Sequence, residues 1–108
     1  MEDCRVVFVT APPNEVAEKL AKALVGERLA ACVNLVPGLR SIYRWKGEVC
    51  DEGETLLIIK TQAARLDALM RRVKELHPYE VPEIIALPVV EGHEPYLKWV
   101  KEETKEIV

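Results

Sequence analysis

The sequence predicts a single α+β domain of 108 residues, in which one sheet carries two helices on one side. Three observations support this prediction. Short apolar runs, typical of buried strands, lie at 5–10, 56–59 and 84–90. Segments with apolar residues three and four positions apart, typical of amphipathic helices, lie between them at about 14–28 and 63–76. A long strand-forming segment at 30–61 completes the order βαββαβ, and a third helix begins near Pro95.

This order restricts the architecture. Each strand-helix-strand unit crosses over right-handedly, which places both helices on the same face of the sheet. The sequence therefore predicts a ferredoxin-like sandwich with a second, open face. Residues 1–108 show no internal linker or repeat, so we expect one domain.

Each helix has a recognisable start or stop. Asn14, after two prolines that end the first strand, is a good N-cap for the helix that reaches about Arg28. The second helix ends before Pro78, because a residue that precedes proline disfavours the helical backbone. The last helix follows Gly92 and has four apolar anchors, which are Tyr96, Leu97, Trp99 and Val100.

Residues 30–61 predict one extended β-hairpin with two long arms. Lys46-Gly47 suits a two-residue reversal, and Pro37-Gly38 predicts a bulge, since proline cannot donate a ladder hydrogen bond. An arm of about 14 residues reaches about 45 Å, whereas a chain of this size has a radius of gyration of about 13 Å. The tip therefore extends past its own domain. Tyr43 and Trp45, which share one face, are predicted to contact a neighbouring subunit.

Three strands are apolar on both faces, which indicates an oligomer. The paired positions are Val6 and Val7, Leu57 and Ile58, and Ile84 and Ile85. A bare apolar sheet face is an aggregation liability, and the last helix is too short to cover it. We therefore expect copies of the chain to cover one another.

Composition limits the partners and the compartment. The net charge is −3 and no basic stretch is longer than Arg71-Arg72, which argues against a nucleic-acid partner. No apolar run approaches the roughly 20 residues of a membrane span. The acidic start is unlike a secretory signal, and the cysteine count of three is odd. Together these features predict free thiols in a reducing cytoplasm and no membrane partner.

Two sets of side chains are candidates for a binding site. Cys32 and Asn34 lie on one face of a strand, although Cys32 also suits a small buried position. His77 begins a connector stiffened by two prolines, which holds Tyr79 and Glu83 in place. A histidine is also favoured at the end of a helix by the helix dipole alone.

Lys60 ends the apolar run at 56–59, either as part of a site or as a charge that ends the strand. No catalytic constellation accompanies these residues. The sequence has no serine with a paired histidine, no glycine-rich phosphate loop and no H-E-x-x-H motif. We therefore do not expect an enzyme.

Several segments in the same order closely resemble the CutA family of divalent-cation tolerance proteins. They are TAP at 10–12, AACVNLVPGLRSIYRWKGEV at 30–49, LLIIKT at 56–61, LHPYEVPEIIALPV at 76–89 and YLKW at 96–99. The resemblance implies a ferredoxin-like fold, a PII-like homotrimer in the cytoplasm, copper binding and a role in metal tolerance. It implies metal binding by His77 and Cys32, and a shared ligand pocket formed by Asn34, Lys60, Tyr79 and Glu83.

Two positions depart from the family pattern. Some members carry a cysteine just before the TAP segment and a second histidine just before the His-Pro step, and use both for copper. These positions are Val9 and Leu76 here. We therefore expect copper to bind with lower affinity than in those relatives.

The leading hypothesis is a trimer that binds copper or another divalent metal ion. The alternative is a PII-like sensor that binds a small molecule at its subunit interfaces. An RNA-binding module of the same strand order needs exposed aromatic residues on its two central strands. The corresponding segments, RVVFVT and LLIIK, contain one aromatic residue between them, and the net charge is negative, so both features argue against this class.

Overall fold

A computed structural model, which describes residues 3–107, confirms the predicted α+β fold and its element order. The elements are β1 (Cys4–Ala11), α1 (Val16–Gly26), β2 (Cys32–Trp45), β3 (Glu48–Gln62), α2 (Ala63–Leu76), β4 (Ile84–Pro88) and α3 (Glu94–Glu103). Within the described range, none of these helices combines the length and the apolar character that crossing a membrane requires. The predicted domain, 1–108, also includes residues 1, 2 and 108, which lie outside the described residues.

The four strands form one sheet in the order β2-β3-β1-β4, and all neighbours are antiparallel. This is the strand order that the ferredoxin-like prediction requires. The register places Val7 opposite Ile59 on one side of β1 and opposite Ala86 on the other. Because opposed residues share a face, Val7, Val9, Leu57 and Ile59 all point to the same side of the sheet.

The side of the sheet that carries these residues, here called the helix face, contains the main core. The side chains of α1 and α2 pack against it, so that both helices lie on one face as predicted. The fully buried residues of this core include Val7, Val9, Leu20, Leu24, Leu57, Ile59, Leu69 and Val73.

The opposite side of the sheet, here called the open face, is covered only in part. Helix α3 covers one end, where Cys4, Leu97 and Val100 form a small second cluster. Further along, Ile85 and Leu87 remain 52% and 43% exposed. The open face is therefore apolar and largely without a cover in one chain.

Strands β2 and β3 form the predicted hairpin, with arms of 14 and 15 residues. Lys46 and Gly47 both have positive φ values, 49° and 81°, as a two-residue reversal of this hand requires. The pairing register shifts between Val36 and Leu39, and Gly38 has a φ of 82°, which confirms the predicted bulge. The longest dimension of the molecule is 43 Å, close to the length of one arm.

Three predicted boundaries were wrong by a few residues. Helix α1 ends at Gly26, because Arg28 has a φ of 61° and cannot continue the helix. Strand β4 ends at Pro88, short of the predicted residue 90, since that proline has no N–H to donate. Lys60 does not end its strand, because β3 continues to Gln62 in the ladder with β1.

Candidate functional site

The connector after α2 is anchored by His77. Its ring is only 7% exposed and lies against the end of β1, where Nε2 is 2.7 Å from the carbonyl oxygen of Thr10. Nδ1 accepts a hydrogen bond of 3.1 Å from the backbone N–H of Tyr79. An imidazole nitrogen that accepts carries no proton, so Nε2 is the protonated atom and donates to Thr10. Both ring nitrogens are therefore engaged with the backbone.

Tyr79 continues this network towards the hairpin. Its ring lies 4.6 Å from that of His77, and its hydroxyl donates to Oε2 of Glu54 at 2.9 Å. Burial raises the pKa of Tyr79 to about 12, and the hydrogen bond and charge of Glu54 contribute to the shift. Glu54 itself is only 6% exposed. The connector is thus held to both β1 and β3.

A cavity of about 430 Å³ lies between this connector and the outer part of the hairpin. We call it the ribbon pocket. Its lining residues are Thr10, Ser41, Tyr43, Trp45, Lys46, Glu54, Tyr79, Glu80, Val81 and Glu83. Its volume falls in the range typical of small-molecule sites.

The tip residues contribute aromatic rings to the ribbon pocket. Tyr43 donates its hydroxyl to Glu52, and this hydrogen bond raises the pKa of the phenol above its usual range. The ammonium of Lys46 lies 5.7 Å from the centre of the Trp45 ring. Tyr43 and Trp45 are 39% and 42% exposed in one chain, so both are available to a neighbour.

The other predicted residues lie at the far end of the open face. Cys32 is opposite Lys60 across the β2–β3 ladder, and the Lys60 ammonium donates to the carboxamide oxygen of Asn34. Tyr96 of α3 lies beside them. Burial raises the pKa of its phenol, and its interaction with Cys32 adds to the shift.

The predicted site residues therefore separate into two groups. Thr10, which contacts His77, is opposite Leu56, whereas Cys32 is opposite Lys60. Four positions along a strand correspond to about 13 Å, so His77 and Cys32 do not meet in one chain. Among residues 3–107, no group of three or more His, Cys, Asp or Glu side chains is arranged to hold a metal ion. The predicted copper ligands consequently do not form a site within a single protomer.

Sequence reasoning missed Glu54, Thr10 and Tyr96. Alternation along β3 places Glu54 on the same face as Lys60, and this signal was available. The contacts with Tyr79 and Cys32 bridge separate elements, and no sequence spacing encodes them.

The four-stranded sheet and its long hairpin define a ferredoxin-like α+β protein. Its candidate binding residues lie in two groups, towards opposite ends of an exposed apolar surface. The family model described as CutA1 divalent ion tolerance protein matches residues 5–103. The chain belongs to this family, as its segments predicted.

Individual relatives agree with this assignment. The chain is 60% identical over 99 residues to the divalent-cation tolerance protein CutA of Thermus thermophilus, which covers 92% of this chain and 96% of that protein. It is 51% identical over 100 residues to the human Protein CutA, covering 93% of this chain but only 56% of the human protein. The solved structure of the PII-like protein CutA from Nostoc sp. PCC 7120, in apo form, has a TM-score of 0.88. It shares 42% identity, with 94% and 97% of the two chains covered.

Proposed function

We propose that the protein is a cytoplasmic homotrimer that takes part in the response to divalent metal ions. The observation that carries the proposal is the apolar open face, together with membership of a family described by ion tolerance. The PII-like description of the Nostoc relative supports a trimer. We still expect no catalysis; the family description names tolerance and no reaction.

The physical basis for the trimer is the surface that one chain leaves in water. Ile85 and Leu87 on β4 share the open face with Tyr43 and Trp45, because the ladder from β4 through β1 and β3 to β2 keeps them on one side. Burial of apolar surface contributes about 25 cal/mol per Å². A neighbouring copy seated on this face gives a closed ring, which leaves no apolar face uncovered.

Sedimentation equilibrium tests the assembly directly. We expect a single species of three chains at micromolar concentration. Ile85→Lys, which places a charge on the exposed apolar face, should shift the protein to monomers. Glu91→Lys is the matched control, since Glu91 is exposed and lies outside the open sheet face. A monomeric wild-type protein would contradict the proposal.

Copper binding is the finer part of the proposal, and one chain does not provide a site for it. His77 has both ring nitrogens in hydrogen bonds with backbone groups, and Cys32 lies about four strand positions away. A site that used both residues would need Cys32 from a neighbouring protomer. It would also need the imidazole to release Thr10 or Tyr79. Imidazole and thiolate are the ligand types that copper prefers, and because both must be free of a proton to bind the metal, the affinity should fall as the pH is lowered.

Calorimetric titration of the trimer with Cu(II) tests this part. Wild type should bind measurably, and both His77→Ala and Cys32→Ser should bind more weakly. Equal affinity in wild type and His77→Ala would remove His77 from the site. Absence of binding in all three proteins would favour the second candidate function.

That second candidate is a PII-like sensor that binds a small ligand at a subunit interface. The ribbon pocket favours it, because a cavity of about 430 Å³ lies beside the aromatic residues predicted to contact a neighbour. A ligand bound there should raise the melting temperature of the trimer more than that of the Ile85→Lys monomer.

A further inference from the structure

The ribbon pocket contains a buried carboxylate with no positive partner. Glu54 is 6% exposed, and its one hydrogen bond comes from the neutral phenol of Tyr79. Among residues 3–107, no lysine, arginine or histidine lies within ion-pair distance of this carboxylate. Buried carboxylates are normally paired with a cation, because desolvation of an isolated charge is costly. Glu54 therefore lacks the cationic partner that a buried carboxylate normally has.

The rest of the pocket wall is also negative. Glu54, Glu80 and Glu83 contribute three carboxylates against the single ammonium of Lys46, which is an excess of two negative charges. The negative charge of Glu54, together with burial, contributes to the raised pKa of Tyr79, whose phenol donates to that carboxylate. This charge balance favours a cationic ligand over an anionic one.

Aromatic rings make up much of the remaining wall. Tyr43, Trp45 and Tyr79 all line the cavity. The position of Lys46, with its ammonium 5.7 Å from the Trp45 ring centre, shows that this ring accepts a cation on its face. The carboxylates do not converge into a metal-binding group, so a small metal ion does not fit the arrangement. A larger cation with an apolar part does.

We propose that the ribbon pocket binds a small organic cation of the alkylammonium class, with Glu54 as its counter-ion. An ammonium has three N–H donors, which suit the buried carboxylate and the hydroxyl of Ser41, which also lines the cavity. The alkyl chain lies against Trp45, Tyr43 and Val81. This inference names the ligand class for the small-ligand role proposed above and rests on that role.

Calorimetric titration of the assembled protein with n-butylammonium chloride tests the inference. Butan-1-ol, a neutral molecule of similar size, is the control ligand, and both titrations are done at the same ionic strength. Wild type should bind butylammonium saturably, and butan-1-ol should bind at least about tenfold more weakly, as expected for loss of a charge-assisted hydrogen bond. Glu54→Gln keeps the size of the side chain and should weaken butylammonium binding by a similar factor. Glu91→Gln, an exposed carboxylate outside the pocket, should leave it unchanged.

Tyr79→Phe provides an independent variant, because it keeps the ring and frees the Glu54 carboxylate from its phenol. Its butylammonium affinity should equal or exceed that of wild type. Equal binding of the ammonium and the alcohol, or equal binding by Glu54→Gln and wild type, would overturn the inference.

A lysine of a neighbouring protomer presents the same chemistry as a free amine. In that case butylammonium would not bind, and Glu54→Gln would instead raise the dissociation constant of the trimer, which also overturns the inference. Sedimentation of the same samples separates the two proposals. A trimer that binds no ammonium refutes only this inference, whereas a wild-type monomer refutes the proposed assembly.

Discussion

The two faces of the sheet come from the same strands but reach very different degrees of burial. On the helix face, Leu57 and Ile59 of β3 are fully buried beneath α1 and α2. On the open face, Ile85 and Leu87 of β4 are apolar as well, yet about half of each side chain remains in water. Helix α3 covers the end of the open face near Cys4.

This difference shows that apolar pattern alone does not identify the core of a chain. A strand that is apolar on both faces requires cover on both, and one chain supplies two helices, of 11 and 14 residues, for one side and a single helix of 10 residues for the other. The helix face is completed within the chain, whereas the open face becomes a core only when another molecule covers it. The two faces should therefore respond differently to mutation.

The largest expected effect is on the helix face. Leu57→Ala removes a fully buried side chain and should lower the free energy of unfolding by about 2–5 kcal/mol, through lost burial and a cavity. Urea unfolding measures this loss. Leu87→Ala is the matched change on the open face and should cost less in a monomeric background such as Ile85→Lys. Equal losses for the two variants in that background would mean that the faces do not differ.

An effect of similar or smaller size is expected at the hairpin tip, and there it should change the stability of the trimer and not the folding of one chain. Trp45→Ala should weaken trimer formation by about 3 kcal/mol per contact if the indole becomes buried against a neighbour. The concentration dependence of sedimentation measures the change. An unchanged trimer with an unchanged melting temperature would show that the tip lies free in water. Ile42→Ala, on the opposite side of the same ribbon, tests whether the effect belongs to the open face.

A smaller effect is expected where the connector covers part of the open face. Tyr79→Phe removes the hydrogen bond to Glu54 and should cost about 1 kcal/mol near neutral pH. The pKa of Tyr79 is raised to about 12, above the value of about 10 for an unfolded tyrosine. The stabilisation is therefore complete below about pH 10 and is lost as the pH rises through 12.

The unfolding free energies of the Tyr79→Phe variant and wild type should converge as the pH is raised through this alkaline range. A difference that stays constant from pH 9 to pH 12 would show that the Tyr79 phenol does not titrate in this way.

The smallest effect is expected at the exposed ion pair of the hairpin. Arg40 contacts Asp51 at 2.6 Å, but both side chains are substantially exposed, at 73% and 45%. Arg40→Ala should change stability by less than about 1 kcal/mol, and the change should shrink further in high salt. A larger loss, insensitive to salt, would mean that this part of the ribbon is buried in the assembly.

The candidate site also separates into two parts, which lie towards opposite ends of the open face. His77, Tyr79 and Glu83 were predicted as a group because the stiff connector fixes them, and the structure keeps Tyr79 and Glu83 at one cavity with His77 beside it. Cys32, Asn34 and Lys60 were assigned to the same pocket, yet they lie at the other end of the open face. Register along β3 decides this separation, and the order of residues in the chain does not reveal it.

The sequence by itself determined the element order, the two-residue reversal at Lys46-Gly47, the bulge near Pro37 and the family. These features depend on local backbone preferences and on periodicity, which neighbouring residues express directly. Only the tertiary structure decided that Glu54 is buried beside Tyr79, that both nitrogens of His77 bind backbone groups, and that Cys32 lies far from them. Those facts depend on contacts between residues that are distant in sequence, on the strands and on the connector. The geometry of these contacts is set only when the whole chain packs together.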